Sequence, residues 1–161
     1  MPRSKNDKNI ISLYALLIGA TIMNFLPSIA IQTFGGIIFF VTFITTYMLR
    51  AKHDTKTDHY THCSYIIKTI WIFSLLFTVG LIISIGAANH SAIINIVDAI
   101  QAGAIPTEQQ MMEAVLQFGK DNLILFLILF LPMVIYLFYR FAKGLNIILK
   151  SKPAIALKGW L

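Results

Sequence analysis

The spacing of charge along this chain leaves few folds open. No Asp, Glu, Lys or Arg falls in residues 9–49, 69–97 or 122–139. These gaps are membrane-sized, because one crossing of a hydrocarbon core takes about 20 apolar residues at a rise of about 1.5 Å each. The first gap holds 41 residues. It is too long for one crossing and fits two joined by a tight turn, for which Pro27, Ser28, Gln32, Thr33, Gly35 and Gly36 supply the residues. The chain is 57% hydrophobic and 12% charged, with a mean hydropathy of +0.75. That is more apolar than a soluble domain of this size needs to fill its core.

The expected fold is all-α: a polytopic membrane protein with four transmembrane helices and an outer amphipathic helical hairpin, forming one domain over residues 1–161. The expected spans are residues 10–27, 34–49, 65–88 and 122–141, the last running on as an interfacial helix toward Leu149. The first segment also resembles a signal peptide, since Arg3, Lys5 and Lys8 precede an apolar run and Ser28-Ile29-Ala30 resembles a cleavage site. Its apolar run is long, and the preferred reading is a span.

Lysine and arginine set orientation, because positively charged loops resist transfer during insertion. With four spans, one side holds Arg3, Lys5, Lys8, Arg50, Lys52, Lys56, Lys68, Arg140, Lys143, Lys150, Lys152 and Lys158, which is 12 of the 13 basic residues. The other side has Lys120 beside Asp98, Glu108, Glu113 and Asp121. The expected location is therefore a bacterial inner membrane with both termini cytoplasmic. The basic residues sit beside spans rather than on a soluble face with interleaved aromatics, so nucleic acid is not an expected partner.

Residues 89–121 form the expected outer hairpin, two short helices split at Gly103 and Pro106. Ile93, Val97 and Ile100 recur at helical spacing opposite Asn95 and Asp98. Thr107 with Gln110 resembles a capping box, and Met111, Met112, Val115 and Phe118 form an apolar stripe. The hairpin either lies on the membrane face or docks a partner, since Met-rich faces adapt to different shapes.

Within the spans, Ala15 with Gly19 and Gly80 with Ser84 stand four apart and mark expected contact faces between helices. Asn24 is expected to satisfy a neighbouring backbone group. Pro132 is expected to bend the fourth span and free a carbonyl near its middle. No ionisable side chain lies at hydrocarbon depth, which argues against a proton-coupled transporter working alone. His62 and His90 stand about 42 Å apart along one helix, which argues against an autonomous haem carrier. No cofactor is expected.

His53, Asp54, Asp58, His59, His62 and Cys63 lie in one cytoplasmic loop. His53, His59, His62 and Cys63 supply imidazole and thiol ligands for a metal, although their spacing matches no zinc pattern. The single cysteine rules out an internal disulfide. Lys68, Arg140 and Lys143 stand at headgroup depth with Trp71, so His62, Lys68, Trp71, Arg140 and Lys143 form a candidate contact for an anionic phospholipid or an acidic partner segment.

The run Thr61-His62-Cys63-Ser64-Tyr65-Ile66-Ile67-Lys68-Thr69-Ile70-Trp71 resembles Ser-His-Tyr-Arg-Phe-Gln-Ile-Arg-Thr-Phe-Trp. That segment belongs to an uncharacterised family of small bacterial inner-membrane proteins, often grouped with the chloroplast import component Tic-twenty. Tyr139-Arg140-Phe141-Ala142-Lys143-Gly144-Leu145 resembles the family's Val-Arg-x-x-Lys-Gly-Leu. Lys152-Pro153 and Trp160-Leu161 resemble its closing Pro and Thr-Trp-Leu. The chain departs at Ile66, at Lys68 and in the long outer hairpin. The resemblance implies a multi-pass helical fold and permits a translocation role.

No nucleophile-and-base pair and no phosphate-binding glycine loop is present. The expected function is a non-enzymatic accessory or assembly subunit of a larger inner-membrane complex, with the lipid bilayer, anionic phospholipids and other membrane subunits as partners. The alternatives are a conduit or translocation component, and a metal-dependent or lipid-headgroup-binding membrane enzyme built on the loop from His53 to Cys63.

Overall fold

A computed structural model describes residues 5–26, 28–150 and 153–157, with the side chains of residues 5, 6, 155 and 156 left out. Arg3, Pro27, Lys152, Lys158 and Trp160-Leu161, which the sequence reading used, lie outside the described residues, as does the side chain of Lys5. The elements are α1 (Lys5–Met23), α2 (Ile29–Lys52), α3 (Asp58–Ala87), α4 (Ser91–Gln101), α5 (Glu108–Asp121) and α6 (Leu123–Leu149), then a single 3-10 turn, Ala154–Leu157. They group into two compact units: residues 1–74 with 135–161, and residues 75–134. Both α3 and α6 contribute to each unit.

Three helices, α2, α3 and α6, are long and apolar enough to cross a membrane among the described residues. The first helix is not one of them. Its opening turns carry Asp7, Lys8 and Asn9, so its apolar part is residues 10–23, about 21 Å of helix against a core of about 30 Å. The helix also stops four residues short of the expected end. Asn24 turns its Nδ2 back to donate to the Ala20 carbonyl at 2.9 Å, and Phe25 and Leu26 continue in tight turns onto Ile22 and Met23. Asn24 therefore does satisfy a backbone group. On the far side of the turn, α2 starts at Ile29 rather than residue 34, its first turn closed by the Gln32 N–H on the Ser28 carbonyl at 2.9 Å.

In the first unit, α1 buries Ile10, Leu13, Tyr14, Leu17, Ala20 and Thr21, a helical stripe at three- and four-residue steps. The expected Ala15 and Gly19 face is not the packing face. Ala15 is exposed, and a side chain at Gly19 would meet nothing within 4 Å. Small residues permit close approach, but on α1 the larger stripe has the area to bury. The core joins that stripe to Ile66 and Ile70 of α3 and to Leu137, Phe141, Ile147 and Ile148 of α6, closed by Ala154 and Leu157. Helices α1 and α2 pack on each other, and α2 buries Gly35, Thr42 and Thr46. A Cβ on Gly35 would stand 2.8 Å from the Met23 Cβ, so glycine permits the close approach of these helices.

The third helix starts seven residues before the expected residue 65. Its entrance is built by local polar groups. Asp54 accepts the Lys56 N–H and the Thr55 hydroxyl, Thr57 closes the turn onto the Asp54 carbonyl, and the Thr57 hydroxyl accepts the Tyr60 N–H at 3.3 Å. Asp58 in the first turn complements the positive end of the helix dipole. These turn-forming residues make a short loop and extend the helix.

In the second unit, Gly80 and Ser84 are buried as expected, and Gly80 faces Met133 and Phe130. Helices α4 and α5 pack on each other. The connection turns at Gly103, whose φ is 85°, and Thr107 and Gln110 form the full reciprocal capping box. Pro132 lies inside α6, which runs unbroken to Leu149.

Candidate functional site

Of the five residues expected to form an anion contact, Arg140, His62 and Trp71 are tied to particular partners in the first unit. Arg140, 4% exposed, donates from Nε to Thr69 Oγ1 at 3.2 Å. Its guanidinium carbon lies 4.0 Å from the Tyr65 ring centroid and 5.7 Å from that of Tyr136. Such placement keeps a charge in an apolar surround by spreading it over aromatic faces and a hydroxyl. His62 is buried, with Nδ1 3.1 Å from the Tyr14 hydroxyl and the two rings edge to face. Trp71 is exposed and donates from Nε1 to the Tyr47 hydroxyl at 2.7 Å. Lys143 is half-buried.

Lys68 is exposed and helps to line a cavity of about 350 Å³ with Thr55, Tyr60, Thr61, Ser64, Tyr65 and Leu157. Arg50 reaches this wall from α2, donating to the Tyr60 hydroxyl at 2.9 Å with its guanidinium over the ring. Tyr65 is 4% exposed, and its hydroxyl is buried with no hydrogen-bond partner.

The metal candidates are divided among different tasks. His59 Nε2 lies 2.8 Å from Asp7 Oδ1, the His53 and His59 rings stack at 5.2 Å, and the free thiol of Cys63 is buried in the core. Among the described residues, no group of three or more His, Cys, Asp or Glu side chains is arranged to hold a metal ion. His59 and His62 do share a helix face, but that face is spent on α1 through Asp7 and Tyr14.

On α5, Met111, Met112 and Val115 are exposed, as are Ile93, Ile94, Val97 and Ile100 on α4. Phe118 is not presented with the other three residues of its stripe. It stacks on His90 and packs against Phe126, which in turn meets Phe130.

Sequence reasoning passed over Asn122, which is 3% exposed and fixes the hairpin to its root. Its Oδ1 accepts the Asn89 N–H at 2.7 Å and its Nδ2 donates to the Asn89 and Phe118 carbonyls. The available signal was an isolated amide at a helix junction. Tyr14, inside an apolar run, gave no comparable signal.

Comparison with protein-family models, with curated proteins and with solved structures finds no match to this chain.

Proposed function

We propose that this chain is a non-enzymatic accessory or assembly subunit of a larger bacterial inner-membrane complex. In this reading α1 with its following turn provides a fourth crossing beside α2, α3 and α6, both termini are cytoplasmic, and the α4–α5 hairpin stands on the outer side. The observation that carries the proposal is the hairpin's uncovered apolar surface. Two helices with polar residues along their length leave Ile94, Val97 and Ile100, and Met111, Met112 and Val115, exposed. An apolar patch on a segment too short to span a membrane marks a membrane- or protein-interaction surface, here assigned to a protein partner. The resemblance at residues 61–71 and 139–145 to small inner-membrane proteins supports the location.

Mild-detergent extraction followed by native mass measurement tests the proposal. A stable hetero-complex is expected, reduced at least tenfold in recovery by Met111→Glu with Val115→Glu while the chain still inserts and folds. A lone monomer or a homo-oligomeric ring would overturn it.

A further inference from the structure

We propose that the cavity between the Thr55 turn and the opening turns of α3 is a binding site for a phosphate ester. Its polar wall is made only of hydroxyls and one ammonium: Thr55, Tyr60, Thr61, Ser64, Tyr65 and Lys68, with no carboxylate among the lining residues. The neighbouring carboxylates are engaged elsewhere, Asp54 by Thr55 and Lys56 and Asp58 by the Ala154 N–H at 3.1 Å. Among the described residues no ion pair joins Lys68 to an acid.

The Thr55 and Thr61 hydroxyls donate to Asp54 Oδ1 and the Thr57 carbonyl, so the donors left to a ligand are the two phenols, Ser64 and Lys68. The buried Tyr65 hydroxyl has no partner. The Tyr60 oxygen already accepts from Arg50, which leaves its own proton to be donated elsewhere. Arg140 over the Tyr65 ring and Arg50 over the Tyr60 ring add positive charge behind both phenols. Two phenols, an unpaired ammonium and flanking guanidinium groups suit a tetrahedral oxyanion with several acceptor oxygens. Leu157 supplies an aliphatic wall for the organic part of the ester, and about 350 Å³ is the size of a small-ligand site.

The same chemistry occurs in a phospholipid headgroup and in a soluble phosphate ester. The test uses the full chain in phosphate-free maltoside detergent, with phosphatidylglycerol and glycerol phosphate as separate probes and native mass spectrometry as the readout. Retention of either probe is expected to fall about tenfold in Tyr65→Phe and in Lys68→Gln, as for loss of a hydrogen bond to a charged group. Lys52→Gln, which removes the same charge from an exposed position on α2, is expected to change nothing. Retention of the lipid alone identifies a headgroup site. Retention of glycerol phosphate with the same variant pattern identifies a soluble ester. The proposal is overturned if neither probe binds, if both variants bind as the parent does, or if Lys52→Gln weakens binding as much as Lys68→Gln. Should Tyr65→Phe disturb folding, Lys68→Gln decides, because its side chain is exposed. Failure here would leave the subunit proposal intact, since the hairpin residues are separate from this cavity.

Discussion

Gly144 has no room for a side chain, because a Cβ there would overlap the ring and hydroxyl of Tyr14. Gly144→Ala is expected to lower unfolding stability in detergent by about 1–3 kcal/mol, the usual range for overpacking a well-filled site. Tyr14→Phe removes the hydroxyl that meets His62 and leaves a buried ring nitrogen short of its partner, an expected loss of about 1–3 kcal/mol. The two changes touch the same atoms, so the double variant should lose less than the sum. Equilibrium unfolding of the four proteins measures that coupling, and strict additivity would show that Gly144 and Tyr14 do not constrain each other. Nothing in the sequence pairs the two positions. A tyrosine and a glycine 130 residues apart become neighbours only when α1 and α6 share a core.

At the scale of elements, the hairpin depends on two devices. Thr107→Ala removes the capping box and is expected to cost the α5 terminus about 1 kcal/mol, read as faster amide exchange in its first turn. Asn122→Ala strips the Asn89 N–H and carbonyl of their side-chain partner and is expected to speed exchange and proteolysis across residues 89–121. Equal protection in that variant would remove Asn122 from its anchoring role. The first device was legible, because a capping box is a four-residue pattern with a local cause. The second was not, because the partners are 33 residues apart. Helix ends do not follow the same division. The α5 start followed from Thr107, whereas the α3 start was missed although the Asp54 and Thr57 bonds that build it are as local as the capping box.

For the whole molecule, sidedness is the property on which the subunit proposal rests. In a Cys63→Ser background, a thiol placed at Gln109 is expected to be modified by an impermeant reagent from outside intact cells, and one at Thr57 only after permeabilisation. The reverse pattern would invert the orientation. Charge spacing along the chain determined by itself that long helices form, because hydrocarbon-compatible stretches satisfy their backbone groups internally. It also carried the positions of α4 and α5, whose polar and apolar sides follow helical periodicity. Apart from Gly80 and Ser84 on α3, which face each long helix buries was decided by tertiary packing. A helix apolar all round carries no periodic signal to read, so the choice of Tyr14 and Leu17 over Ala15 and Gly19, the stacking of Arg140 on Tyr65, and the unpartnered Tyr65 hydroxyl all arose from how the helices met.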